Sequence, residues 1–367
     1  MTLKMKYKIN KVLVEKEALE HSITAEILNN MNNIPAYNTA GAEEKEDFTH
    51  PFNMEKDRVR LLAFKGEFLK PCPGTREYIC CGYIILNIGT NCPLDCSYCI
   101  LQAYFNKPSL RIFVNIQDEL LNIEKTVDSH PDRIFRIGTG EFTDSFALDS
   151  ITGFSTLLSE FITDKKNCIL ELKTKTTEID RIFTLKKRAR IIISWSLNSP
   201  YIVSHEEHGA PSIEKRLAAA KKCQEEGFIT GFHFDPLIIH ESWKDNYKRT
   251  VDLMDRYLDP QKVIWISMGC IRFVPALKPV IKKRHPETII LNGEFIRGLD
   301  NKMRYLKPVR IEMYSYMREL LENWAGFNPG LYLCMESDEI WQKSLLWSPG
   351  ESEGLSNYLD DRVRSFW

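Results

Sequence analysis

At 367 residues the chain can form one large α/β barrel or two ordinary domains, and no part of it has to be a small module stapled by disulfides. Hydrophobic residues at 43%, charged residues at 27% and a formal net charge of −1 exclude a fibrous or disordered chain and give no global attraction to a polyanion. No apolar run reaches membrane-span length and Met1–Lys16 has no export-signal core, so ten cysteines point to metal or redox chemistry in the cytoplasm rather than to disulfides.

From Met1 to Glu77 the pattern is mixed. A helix is expected over Glu15–Met31, a polar Glu-rich stretch follows at Gly41–Asp47, and residues 1–77 read as an N-terminal appendage. Short β-branched runs then alternate with amphipathic stretches. Candidate strands are Tyr83–Asn87, Arg133–Ile137, Cys168–Leu172, Arg190–Ser196, Ile229–Phe234 and Val263–Ser267, with helices at Gln117–Val127, Ile151–Phe161, Ser212–Glu226 and Asn246–Leu258. Near-continuous hydrophobicity suits parallel strands covered on both faces. The expected fold is α/β, a partial (β/α)6 barrel over residues 78–288, with catalytic groups at the carboxyl ends of the strands. Residues 289–367 form an extension packed on the barrel: a hairpin within Ile289–Val309 about the turn Gly298–Asn301, a helix at Val309–Glu322 and a strand at Leu331–Met335.

Directly after the first strand, Asn91-Cys-Pro-Leu-Asp-Cys-Ser-Tyr-Cys99 spaces three cysteines as C-x3-C-x2-C. Three thiolates do not close a zinc site or a ferredoxin-type cluster, but on a four-iron cluster they leave one iron open to a small molecule. Zinc, completed by Cys81 or His233, is the alternative. Cys72, Cys80 and Cys81 lie upstream without regular ligand spacing, so a second cluster is not indicated. Cys168, Cys223, Cys270 and Cys334 sit alone in apolar or helical surroundings and receive no role. His205-Glu-Glu-His208 lacks the spacing of a metalloprotease helix, and Trp195 and Trp265 read as barrel core.

The three-cysteine loop resembles that of the radical S-adenosylmethionine superfamily. That resemblance implies a 4Fe–4S cluster on Cys92, Cys96 and Cys99, S-adenosylmethionine on the open iron, and reductive cleavage to a 5′-deoxyadenosyl radical. Further phrases extend the likeness: Cys80-Cys-Gly-Tyr83, Asp95-Cys-Ser-Tyr-Cys-Ile-Leu-Gln102, Thr174-Lys-Thr176, Ser196-Leu-Asn198, Glu207-His208 with Glu214-Lys-Arg216, Gly231-Phe-His-Phe-Asp-Pro236, Leu277-Lys-Pro279 and Lys302-Met-Arg-Tyr-Leu-Lys-Pro308. In their order they resemble the spore photoproduct lyase family of DNA-repair enzymes. The resemblance implies cofactor contacts at Thr143, Lys175, Ser196 and Asp235, with Lys175 meeting the methionine carboxylate. The resemblance further implies that Glu141, in Gly138-Thr-Gly-Glu141, accepts from the methionine amine, and that Tyr98 and Glu141 are catalytic residues. A one-electron reductant such as flavodoxin or ferredoxin is also implied.

Two positions depart from the family. Glu141 stands where the lyase carries a cysteine that donates hydrogen, and Ile100 replaces the second of two tyrosines around the third cluster cysteine. Cys270 is a candidate substitute donor. Between Lys278 and Arg310 nine basic residues face three acidic ones, an excess of six positive charges suited to phosphates. The family likeness places a DNA-wedging hairpin here, with Arg304 and Tyr305 as nucleic-acid contacts. Three functions follow as expectations: a lyase acting on a DNA pyrimidine lesion, a diverged radical enzyme acting on RNA, a peptide or a metabolite, and a non-enzymatic, metal-stabilised nucleic-acid-binding protein.

Overall fold

The computed structural model describes residues 7–31, 34–38, 54–75, 77–326 and 330–367. The Glu-rich stretch expected at Gly41–Asp47 lies outside them. Seven parallel strands build the main sheet: β1 Ile84–Leu86, β2 Phe135–Gly138, β3 Cys168–Thr174, β4 Ile191–Ser196, β5 Ile229–Leu237, β6 Val263–Cys270 and β7 Leu331–Leu333. They stand in sequence order, with Leu69–Pro71 antiparallel on the outer side of β1. Each end of the six expected strands lies within three residues of its observed position. Strands β3, β4 and β6 are buried on both faces almost throughout, as parallel strands walled by helices must be.

The helices follow the apolar periodicity with two breaks. The segment expected as one helix at Ile151–Phe161 is split at Gly153, whose φ of 65° ends Asp149–Thr152 and starts Phe154–Ile162. A Cβ at Gly153 would meet the Arg181 guanidinium at 2.6 Å, so the break is also a close packing contact. Glu15–Met31 likewise resolves into a 3-10 turn, Lys16–Glu20, and a helix, Ser22–Asn30, separated by extended His21. Further on, Ser199 and Ser212 cap their helices by accepting from the Ile202 and Lys215 amides.

Backbone hydrogen bonds cross the expected boundary at residue 77 in both directions. Lys11–Val14, Ala36–Asn38 and Arg58–Leu62 form a second sheet, which takes Leu110–Phe113 and Gly89–Thr90 from beyond β1. The loop between β1 and Leu110 is therefore held between two sheets. After β6, Arg272–Phe273, Met303–Arg304 and Ile296–Arg297 form a small antiparallel sheet that contains the expected hairpin.

The main sheet curls without closing. Between its two edges Ile79 and Glu336 form an isolated bridge, with the Ile79 amide donating to the Glu336 carbonyl at 3.0 Å. The helix Ser352–Phe366 covers the rest of the seam. Its Ser352 accepts from the Cys80 amide at 2.9 Å, Ser356 and Asp360 each accept from Arg136 of β2 at 2.8 Å, and Arg362 donates to the Ile264 carbonyl at 3.0 Å.

Candidate active site

The three-cysteine loop leaves the carboxyl end of β1 and is fixed through its backbone. Asn91 takes φ 67°, a left-handed turn that Asn tolerates, and its amide donates to the carbonyls of Lys107 and Ser109, each at 2.7 Å. Asp95–Cys96 pairs with Glu207–His208. Gln102 donates to the carbonyls of Cys96, Ser97 and Cys99 at 3.2, 2.9 and 3.2 Å, while its own oxygen accepts from Arg284. Asp95 is gripped by Lys56 at 2.8 Å and Arg284 at 2.6 Å. Cys96 is buried, and Cys92 and Cys99 are half-buried. Burial pushes the Cys92 thiol up and that of Cys96 to about 12, so a metal binding here has to displace protons.

Among the described residues no three Cys, His, Asp or Glu side chains gather around a single metal ion. Zinc draws its donors to about 2.0–2.3 Å of one point, whereas a four-iron cluster brings its own sulfides and takes thiolates on separate irons. His233, the candidate distant zinc ligand, is already bonded to Glu171 at 2.9 Å. Three thiols on one pinned loop fit the cluster.

Tyr98 packs behind this loop and donates to the Glu207 carboxylate. Arg216, fully buried, donates to the same carboxylate and reaches the Ser196 carbonyl at 2.9 Å. Burial opposes the Glu207 charge, but Arg216, Lys175 and the Tyr98 hydroxyl hold its pKa below the ordinary value.

Alternation along each strand sends every second side chain into the barrel. At the floor Glu171 accepts from Ser194, from His233 at 2.9 Å and from Trp265 at 2.9 Å. Despite burial, these partners lower its pKa to about 2. One turn of the pleat higher, Lys173 pairs with Glu141, and Arg272 clamps Asp235 through two bonds of 3.1 and 3.0 Å. Burial works against the Lys173 ammonium, and the Glu141 carboxylate more than offsets it. For Asp235 burial raises the pKa, but Arg272 and Lys173 bring it below the ordinary value. Tyr83 lies across Gly138, where a Cβ would sit 1.4 Å from its hydroxyl, and that hydroxyl has no partner among the described residues.

Of the expected cofactor contacts, Ser196, Lys175 and Asp235 lie at the carboxyl ends of β4, β3 and β5, and Thr143 lies in the loop after β2. Ser196 is buried on the rung of His233, Ser267 and Tyr332. Lys175 follows β3, with its ammonium 5.9 Å from the Tyr98 ring and no carboxylate partner among the described residues. Thr143 is half-buried beside Asp144, which ties the loop after β2 to β3 by accepting from Thr174 at 2.7 Å and the Lys175 amide at 2.8 Å.

Three expectations need correction. Arg304 and Tyr305 are 1% and 2% exposed and do not face a duplex. Arg304 bonds Asp300 at 2.6 Å and covers the Tyr78 ring at 4.1 Å, while Tyr305 stacks on Phe295 and accepts from the Ile239 amide at 3.2 Å. Cys270 points out of the barrel, its sulfur 3.9 Å from that of Met313, because it falls on the helix-facing phase of β6. Cys334, given no role, is instead on the inward phase after β7 and accepts from Arg272 at 3.1 Å. Lys173, Arg216, Glu207 and Arg272 were missed as site residues. The alternation Glu171-Leu-Lys173 within a buried strand was a readable signal for two inward charges.

The family model described as spore photoproduct lyase matches residues 7–319. A spore photoproduct lyase of a Geobacillus species is 29% identical over 249 residues, covering 65% of this chain and 71% of that protein. The Bacillus subtilis lyase is 28% identical over 275 residues, covering 74% and 71%. A solved cysteine-to-alanine variant of spore photoproduct lyase superposes with a TM-score of 0.77 at 23% identity, over 89% of this chain and 99% of that one. A double variant with bound AdoMet and dinucleoside spore photoproduct gives a TM-score of 0.77 at 23% identity, over 90% and 100%. With the match spanning most of its length, the chain belongs to the spore photoproduct lyase family of radical S-adenosylmethionine enzymes.

Proposed function

We propose that this enzyme holds a 4Fe–4S cluster on Cys92, Cys96 and Cys99, cleaves S-adenosylmethionine reductively, and acts on a spore-photoproduct-type thymine lesion in DNA. The observation that carries the reading is the pinned three-thiol loop facing a barrel mouth lined by Lys175, Ser196, Asp235 and the Lys173–Glu141 pair. When bound, the cluster supplies one electron to S-adenosylmethionine and so a 5′-deoxyadenosyl radical. Lys175 meets the methionine carboxylate as an unpaired cation, and Asp235, braced by Arg272, accepts from the nucleoside. Glu141 is shared between Lys173 and the methionine amine, and Thr143 borders the same loop. The floor around Glu171 excludes water below.

The DNA face is the exposed side of the small sheet and the helix Leu277–Arg284, with Lys278, Lys282 and Arg297 outward and Leu299 72% exposed at the hairpin turn. The apolar turn residue, rather than Arg304 or Tyr305, is the group placed to enter the duplex. The reductant is a one-electron protein such as flavodoxin or ferredoxin. No helix among the described residues is long and apolar enough to cross a membrane, and ten unpaired thiols suit the cytoplasm. A second reading, a diverged substrate, is favoured by Glu141, a carboxylate paired with Lys173, standing where the family resemblance puts the lyase's cysteine, and by exposed Ile100.

The test is anaerobic reconstitution, dithionite reduction and quantification of 5′-deoxyadenosine with and without dinucleoside spore photoproduct, with Cys92→Ala as control. Cysteine-dependent 5′-deoxyadenosine with thymine recovery supports lesion repair. Formation without thymine selects the diverged substrate, and no formation from a fully loaded cluster refutes the radical reading.

A further inference from the structure

Resting on that reading, a carbon radical formed at the barrel mouth has to be quenched by a hydrogen atom, and the weakest side-chain bond to hydrogen is that of a thiol. Glu141 has none to give. The inward phase of β7 continues from Tyr332, opposite Ser267, to Cys334 two residues on, at the level that Asp235 occupies on β5. Gly269 lies opposite on β6 and leaves room there, since a Cβ would meet Arg272 at 2.6 Å and Asp235 at 2.8 Å. Arg272 clamps Asp235 with both its terminal nitrogens and, through one of them, donates to the Cys334 sulfur at 3.1 Å. The sulfur accepts from Arg272 while its own hydrogen bonds to the Asp235 carboxylate, so the S–H group is held at the same clamp. An independent observation marks the lumen as built for a ligand: the Tyr83 hydroxyl, on a residue 9% exposed, is unpartnered there among the described residues.

We infer that Cys334 is the hydrogen-atom donor of this site, passing its S–H hydrogen to a carbon radical held beside Asp235. The S–H bond breaks homolytically, a C–H bond forms, and the unpaired electron stays on sulfur. One electron from the enzyme's reductant and one proton from solvent restore the thiol. Burial keeps the Cys334 pKa well above the ordinary thiol value even though Arg272 lowers it, so the sulfur retains the hydrogen it must give. Cys72 and Cys81 pack around the small apolar cluster of Tyr83, Ile85, Leu101 and Phe142 and come near enough to Cys334 to raise its pKa, so each is a rival donor that the test has to separate.

Because thiol hydrogens exchange with solvent, the transfer can be read without a substrate. Reconstituted enzyme is reduced with dithionite in deuterium oxide with S-adenosylmethionine alone, and the 5′-deoxyadenosine is analysed by mass spectrometry. Wild-type enzyme, Cys72→Ala and Cys81→Ala are expected to yield mainly monodeuterated product, whereas Cys334→Ala lowers the deuterated fraction roughly tenfold. A deuterated fraction unchanged in Cys334→Ala, or lost instead in Cys72→Ala or Cys81→Ala, overturns the assignment. Absence of 5′-deoxyadenosine from wild-type enzyme refutes the radical reading and this inference with it. A second variant guards against misfolding: Cys334→Ser keeps an acceptor for Arg272 but has a much stronger bond to hydrogen, and it is expected to lose deuteration as Cys334→Ala does. Deuteration retained in Cys334→Ser overturns the proposal.

Discussion

Glu207 ties the three-cysteine loop to the barrel wall. It receives the Tyr98 hydroxyl from the loop and the Arg216 guanidinium from the barrel wall, with both members of the ion pair no more than 1% exposed. Glu207→Gln leaves a buried guanidinium without its counter-charge, and the expected loss is about 3–5 kcal/mol in urea unfolding. Retained stability would show that Arg216 finds another acceptor. Glu171 gives a pH signature. Burial raises its pKa, but His233, Ser194 and Trp265 bring it from 4.5 to about 2. A lowered carboxylate contributes fully above pH 4.5, and that contribution is lost as pH falls from 4.5 toward 2. The loss is roughly 3 kcal/mol. Glu171→Gln should flatten this acid limb of a stability–pH curve, and an unchanged limb would assign acid sensitivity elsewhere. At this scale the sequence showed the three-cysteine loop, because its spacing is local. It concealed Glu207 with Arg216 and Cys334 with Arg272, because those partners meet only when separate strands and loops converge.

The hairpin shows how an element can be legible while the roles of its residues are not. Its turn residues foretold a hairpin within Ile289–Val309, and the structure contains one whose strands are Ile296–Arg297 and Met303–Arg304. Which arginine faces outward was decided by packing: Asp300, four residues before Arg304, and the Tyr78 ring draw that guanidinium inside and leave Arg297 exposed. Strands of two residues carry too little alternation to reveal this. Arg304→Ala is therefore expected to cost about 2–3 kcal/mol, since it leaves Asp300 to Lys302 alone at 3.5 Å and removes the donor to the Met335 carbonyl. Leu299→Ala, with 72% of its surface exposed, should weaken binding of lesion-containing duplex. Its stability should stay within about 0.5 kcal/mol. Equal loss of stability in both variants, read by thermal unfolding, would contradict this division between a structural arginine and a binding turn.

For the whole molecule the net charge of −1 conceals a polarised surface on which Lys278, Lys282 and Arg297 lie outward near the hairpin. If they meet phosphates, replacing each with Gln lowers the slope of log affinity against log salt by roughly 0.9 per lost contact. An unchanged slope would move the DNA path to another face. The fold class was readable because six apolar runs in a fixed order admit few topologies, but the closing of the seam was not, since Ile79 and Glu336 are 257 positions apart. That seam has a mechanical meaning. A fully closed barrel changes its girth only by breaking a ladder of hydrogen bonds, whereas here the two edges are joined by one backbone bridge and by side chains of the helix Ser352–Phe366 and of Arg304, which covers Tyr78 and donates to the Met335 carbonyl at 3.0 Å. If the wall opens anywhere it should open first at this clasp, and the expected sign is faster hydrogen exchange at the Ile79 amide than at the amides of the inner strands β3 and β4.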